Sequence, residues 1–413
     1  MGYFESYKVM LIYGKEAFLI RIFGLIFTLN ILKPWLDYYA SISHQVVTGF
    51  QFILLLFVVT LFNNKFYRKS TFLAFLVIVI LAVKLTLETS INVLKMDYMS
   101  IASSLYFIIR VLLVIYMIQV LILSKRSLNF FLSLRSMLIG YFLVTVIYSS
   151  LQYPLFFDID WIRYAGGNIT SGNGAGMFRS NGGMGGTVID YANFLLAISW
   201  VLFFTNFKKG HIKVMLYAIF SLASYLIFSR SLFVALLLMF MIHVLAPKNL
   251  KNFLLMTIFT FLIILLLIFN FESVVDFYYK VSGHSDLKRI QSWYDLFVNI
   301  SLIEIFTGVT LGGNTGLFSA GVNKISGDGF ITGFTYDAGL VVLVMFLGII
   351  IHRIYLIPCN LKIRFSIIFS FLLMLMINSG FEKLFVVMTY ILAIFIVHSS
   401  HSYAKKNNTH LQD

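Results

Sequence analysis

The chain is short of charge. Only 12% of its 413 residues are Asp, Glu, Lys or Arg, about half the share a soluble domain carries. With 60% hydrophobic residues, 44 of the residues being Phe, so little charge cannot cover a water-facing surface. A soluble enzyme is excluded. Cysteine is nearly absent: Cys359 stands alone, which removes intrachain disulfides, thiolate metal sites and a Cys-rich extracellular domain. Proline is scarce too. Pro34, Pro154, Pro247 and Pro358 each sit just past an apolar run, where a helix is expected to stop. Acid is scarcer than base, 17 residues against 31, for a net charge of +14. A nucleic-acid partner does not follow, because the basic residues form short clusters between apolar runs.

Those runs are the dominant feature. They lie near 17–33, 46–62, 70–87, 99–123, 136–153, 188–206, 214–229, 232–246, 253–271, 335–356, 365–380 and 383–399. A membrane helix needs roughly 20 apolar residues. The expectation is an all-α polytopic integral membrane protein of about 12 transmembrane helices, with residues 1–413 forming a single membrane domain. No cleavable signal peptide is expected, since Phe18–Leu32 is apolar but no small-residue cleavage site follows. The clusters Lys65/Arg68/Lys69, Lys125/Arg126/Arg135, Lys208/Lys209/Lys213, Lys248/Lys251, Lys362/Arg364 and Lys405/Lys406 share one side of such a partition. The positive-inside rule makes that side cytoplasmic, with both termini. Of the acidic residues only Glu5, Glu16 and Asp413 fall there. Lys213 and Lys248 flank residues 214–246, which therefore read as a hairpin turning at Ser229-Arg230-Ser231.

Two long segments fall on the other side, 154–187 and 272–334. Loops of such length are usually functional or disordered. The first reads RYAGGNITSGNGAGMFRSNGGMGG from Arg163 to Gly186, with nine glycines. Glycine lets backbone approach a ligand, and exposed N–H groups can cradle an anion; a plain linker is the competing reading. No Gly-Lys-Ser/Thr follows, so the stretch is not a nucleotide P-loop. Arg163 and Arg179 present forks suited to phosphate oxygens. The second loop holds Asp276, His284, Asp286, Lys288, Arg289, Asp295 and Asp328. Its Leu287, Ile290, Tyr294, Phe297 and Ser301 recur at helical spacing after Ser285, as in a helix lying on a membrane surface or packed on the bundle. No His-x-x-x-His or acidic cage appears, so no metal is expected. Asp158-Ile-Asp160 is the one close acidic pair that could hold a metal-bound sugar phosphate. Arg230 stands between two apolar runs, placed to bind an anion or to snorkel to headgroups. Arg110 lies mid-run, as a functional charge or a structural partner.

Arginines, a glycine-rich loop and carboxylates on one side suit a lipid-borne diphosphate. No nucleotide reaches that side, so energy must come from the substrate. Here the sequence resembles the bacterial O-antigen polymerases, which are related to the O-antigen ligases. The resemblance rests on Arg179 with Gly182/Gly183 and Asp190-Tyr191-Ala192-Asn193, and on Ser229-Arg230. It rests also on the order Arg289, Trp293, Phe306-Thr307-Gly308, Gly312-Gly313, Asp328 and Gly339-Leu340. It covers about residues 160–345 and implies glycosyl transfer between undecaprenyl-diphosphate-linked oligosaccharide repeat units, donor and acceptor both. It implies a place in the bacterial inner membrane among its lipids, with 154–187 and 272–334 periplasmic, and a chain-length regulator protein as a further partner. By the same resemblance Arg163, Arg179, Arg230 and Arg289 bind diphosphate, and Asp328 or His284 stands near the acceptor hydroxyl. No cofactor is expected. A ligase, or a flippase for the same lipid-linked unit, are the alternatives. Ligases usually carry a His where this chain has Asp328, which favours the polymerase.

Overall fold

The computed structural model describes residues 2–41, 44–61, 72–94, 98–123, 127–152, 188–205, 207, 210–227, 229–245, 300–311, 330–377 and 384–409. Regular structure among them is entirely helical: α1 (Gly2–Ala40), α2 (His44–Leu61), α3 (Phe72–Leu94), α4 (Tyr98–Leu123), α5 (Leu128–Leu151), α6 (Val188–Phe204), α7 (Gly210–Ile227), α8 (Arg230–Leu245), α9 (Leu302–Thr307), α10 (Phe330–Ala338), α11 (Leu340–Tyr355), α12 (Leu361–Ile377) and α13 (Leu384–Thr409). Helices answer the apolar composition, because a helix satisfies its own backbone without water. Several are long and apolar, and the chain is a multi-spanning helical membrane protein.

The number of spans is not about twelve. Among the described residues five helices are long and apolar enough to cross a membrane: Ala74–Ile91, Ser100–Ile118, Leu128–Leu151, Gly210–Ile227 and Phe385–Tyr403. Length explains part of the difference. α6 and α12 have 17 residues, α8 and α11 have 16; at 1.5 Å per residue these reach about 24–26 Å, short of a hydrocarbon core of about 30 Å. A break explains another part. The run 335–356, expected as one span, is cut at Gly339 into α10 and α11. The run 253–271 lies outside the described residues. Pro34 departs from expectation as well, since it falls inside α1. A proline removes one ladder bond, and neighbouring helices can re-satisfy the freed group. The break between α7 and α8 at Ser229 matches the expected turn.

Aromatic rings and a few polar pairs knit the bundle. Phe27 meets Tyr141 and Phe385 edge-on at 4.6 and 5.2 Å, and Tyr141 meets Phe194 at 5.3 Å. Tyr390 donates to Asn193 Oδ1 (2.8 Å), Trp200 Nε1 to Ser370 Oγ (3.1 Å), and Asn30 Nδ2 to the Tyr141 hydroxyl (3.2 Å). Such bonds hold helices together where the hydrophobic effect cannot, at about 0.6 kcal/mol each. α1 and α5 run parallel: Glu16 accepts from Ser127 N (3.0 Å) and from its hydroxyl, and Asn30 sits beside Tyr141 the same number of residues on. Ser127 also caps α5, accepting from Phe130 N at 3.1 Å. On α3 an exposed stripe, Phe75, Val79, Val83, Leu87 and Ile91, repeats every fourth residue and forms a lipid-facing ridge.

Candidate functional site

The packing separates the bundle into two ends. Phe365 near the start of α12 packs with Ile242 near the end of α8. The turn 356–360 joins α11 to α12 at that level, so Gly339 and the start of α11 lie at the opposite end. α6 and α8 run parallel, since Ser199 meets Met239 (3.8 Å) and Phe204 meets His243 (5.6 Å). α5 runs against α6, with Tyr141 beside Phe194 and Arg135 stacked over Phe207 at 4.8 Å. The described borders of the first loop, Gln152 and Val188, therefore share the Gly339 end. The other end carries Arg135, Lys213 and Arg364. Arg135 also covers Phe131 (5.4 Å), Lys213 covers Tyr217 (5.6 Å), Arg364 covers Tyr355 (5.1 Å), and His401 Nε2 lies 3.0 Å from the Phe204 carbonyl.

At the loop-bearing end two stretches meet in register. Nine residues up each helix from the Ser199–Met239 contact stand Asp190 on α6 and Arg230 at the start of α8, so their backbones share one level. Asp190 is buried in the first turn of α6, where the helix dipole favours a carboxylate. Tyr191 and Asn193 beside it are also buried, Asn193 held by Tyr390. Arg230 follows Ser229, whose hydroxyl accepts from Leu232 N at 3.3 Å and lies 3.0 Å from that of Ser231.

A second polar cluster lies at the same end. Lys84 Nζ on α3 donates to the carbonyls of Thr307 (2.7 Å) and Asp337 (2.8 Å), and pairs with Glu88 at 3.7 Å. The Glu88 carboxylate accepts from Leu311 N at 2.9 and 3.1 Å. Ser104 Oγ on α4 donates to the Leu311 carbonyl at 2.9 Å. Val309 N donates to the Tyr336 carbonyl at 2.7 Å. Residues 300–311 are thus stitched to α3, α4 and α10. Two glycines permit the closeness. Gly308 and Gly339 have φ of 78° and 88° with ψ near 156°, a region open almost only to glycine. A Cβ on Gly308 would meet Gly339 N at 2.6 Å, and one on Gly339 would strike the Phe306 carbonyl. α9 begins with a capping box: Ser301 accepts from Glu304 N (3.3 Å), and Glu304 accepts from Ser301 N (3.0 Å). These bonds hold the exposed Glu304 carboxyl below its ordinary pKa, the Ser301 side chain first and its backbone second.

Of the residues expected to act, Arg163, Arg179, His284, Arg289 and Asp328 lie outside the described residues, as do the loop 154–187 and, of the expected helical repeat, Leu287, Ile290, Tyr294 and Phe297; Ser301, the last member of that repeat, is instead the N-cap of α9. For Arg230 the backbone at the head of α8 is described. Phe306-Thr307-Gly308 and Gly339-Leu340, distant in sequence, are in contact. Arg110 is buried within the bundle, its guanidinium 5.7 Å from the Tyr106 ring and 5.5 Å from the Phe107 ring. Asp190 and Glu88 carried no role in the sequence reading. Glu88 had a signal there: it stands one helical turn after Lys84, a charge inside the run 70–87, where charges rarely occur without a partner. Compared with known proteins, the chain matches no family model, no curated protein and no solved structure.

Proposed function

We propose that the protein is a polymerase of surface polysaccharide that joins undecaprenyl-diphosphate-linked repeat units on the periplasmic side of the bacterial inner membrane. One observation supports the reading beyond the sequence resemblance. Asp190–Asn193, Ser229-Arg230, Phe306–Gly308 and Gly339-Leu340 carry that resemblance from four separate parts of the chain, and all four stand at the loop-bearing end. In the proposed reaction a hydroxyl of the incoming unit attacks the anomeric carbon of the growing glycan. A C–O bond forms there, and the bond to the diphosphate oxygen breaks. The hydroxyl proton passes to a base, Asp328 or His284. Charge builds on the departing undecaprenyl diphosphate, and Arg163, Arg179, Arg230 and Arg289 neutralise it. Arginines in this role make a divalent cation unnecessary.

The test is a clean deletion in the strain that encodes the protein, read by electrophoresis of surface polysaccharide. The reading expects molecules capped with a single repeat unit and restoration of long chains by the wild-type gene. Loss of all caps, as a flippase or ligase defect would give, contradicts it.

A further inference from the structure

Arg353, in the last turn of α11, is a buried cation. It is 4% exposed, and its Nε is buried without a hydrogen-bond partner. Among the described residues its guanidinium forms no hydrogen bond, ion pair or ring contact. Other arginines of the bundle lie over aromatic rings: Arg110 over Tyr106 and Phe107, Arg135 over Phe131 and Phe207, Arg364 over Tyr355. Arginine is not deprotonated in proteins, so the charge on Arg353 stays. A buried charge is costly unless it is paired. Snorkelling to water does not relieve it, because a guanidinium that reached water would be exposed. The dipole of α11 favours a cation at its last turn, but it leaves the N–H donors unbonded.

The chain supplies no counter-charge nearby. Arg353 stands just before the turn 356–360, so it belongs to the end of the bundle that carries Arg135, Lys213 and Arg364. Between Asp337 and Glu382 the sequence has no acidic residue, so α11, the turn and α12 are all without one. Among the described acidic side chains, Glu88, Asp190, Glu304 and Asp337 stand at the loop-bearing end. Glu16 stands at the other end, and it is engaged by Ser127 through the backbone N–H and the hydroxyl. Cations gather instead. Lys362 and Arg364 open α12 directly after the turn, and Arg364 Nε is also buried without a hydrogen bond. An anion from outside the chain would answer this surplus. The planar fork of arginine matches two oxygens of a phosphate, and basic pockets between membrane helices take anionic headgroups. The surplus of positive charge also disfavours a metal cation there.

We propose that the joint of α11 and α12 is a phosphate-binding site, in which Arg353 holds the phosphate and Lys362 and Arg364 add positive charge. Two sources offer that group: the headgroup of an anionic phospholipid in the surrounding bilayer, and free phosphate in solution. The proposal is independent of the enzymatic reading, since the site lies at the end of the bundle opposite the two loops.

Lipid binding is counted by native mass spectrometry of the purified full chain, delipidated in detergent. It is titrated with phosphatidylglycerol and with phosphatidylcholine of the same acyl chains. In parallel, inorganic phosphate is added at constant ionic strength and the melting temperature is followed by tryptophan emission, since a ligand of the folded state raises it. The proposal expects the wild type to bind its first phosphatidylglycerol severalfold more tightly than phosphatidylcholine, and R353M to lose that preference. R353K, which keeps the charge but not the fork, should fall between. A melting temperature raised by inorganic phosphate in the wild type but not in R353M, without a lipid preference, assigns the same site to free phosphate. The proposal is overturned if the wild type shows neither the lipid preference nor the phosphate shift. It is overturned equally if folded R353M keeps whichever one the wild type shows. Should R353M not fold, R353K is read in its place, and binding equal to that of the wild type overturns the role of Arg353; the wild-type titrations decide on the site whether or not either variant folds.

Discussion

Lys84 illustrates what a single residue discloses. Within an apolar run it reads as a charge inside the bundle, of the kind a transporter uses. Besides Glu88 one turn on, its partners are backbone carbonyls 223 and 253 residues away. No side-chain pattern marks a carbonyl acceptor, so the sequence could locate the charge but not its use. The arginines are the reverse case, since their chemistry is legible and their placement is not. Arginine's planar fork binds two diphosphate oxygens at once, and ammonium cannot reproduce it. Arg179→Lys and Arg230→Lys are therefore expected to lose most polymerase activity at wild-type expression. The expected loss is about 2–4 kcal/mol of transition-state stabilisation, roughly a 30- to 1,000-fold fall in rate. Polysaccharide of normal chain length in both variants would refute the arginine clamp. Asp328→Asn should abolish activity if that carboxylate is the base, whereas D158N/D160N should retain most of it; the same chain-length profile reads both.

Among the elements, the broken helix α10–α11 is the most telling. Its residues 335–356 read as one apolar run, and the break at Gly339 follows from a φ of 88° and from contact with Gly308. Hydropathy registers neither. Gly339→Ala would combine a backbone conformation that costs about 1–3 kcal/mol with a steric clash against backbone. The variant should unfold at clearly lower temperature in detergent. A thiol-reactive fluorogenic dye can follow this, because Cys359 is half-buried and that partial burial raises its thiol pKa. A melting temperature equal to that of the wild type would mean that the tight glycine pair is dispensable. The cap of α9 has a pH sign. A carboxyl held below its ordinary pKa stabilises the folded form above that pKa, and the contribution disappears as pH falls through the folded value. The Ser301–Glu304 cap should therefore persist at neutral pH and fray only in acid. A nitroxide at Ile303 should become more mobile there, and Glu304→Gln should remove the pH dependence; fraying at neutral pH would contradict the cap.

For the whole molecule, composition disclosed the helical membrane class but overstated the spans. Apolar runs were counted as crossings, yet α6, α8, α11 and α12 are too short to reach across alone. The basic clusters were legible as clusters; of their described members Arg135, Lys213 and Arg364 lie at one end, while Lys84, outside the clusters, lies toward the other. The common level of the Asp190 and Arg230 backbones, and the contact of Gly308 with Gly339, were not legible, because register between helices leaves no local trace. The central claim is that this loop-bearing end extends lipid-linked glycan without a metal. The most direct measurement gives purified wild-type protein the lipid-linked repeat units extracted from the deletion strain, in excess EDTA. The account predicts a ladder of lipid-linked products growing by one repeat unit per step. Units left unextended in EDTA but extended once magnesium or manganese is restored would contradict it, as would units unextended under either condition.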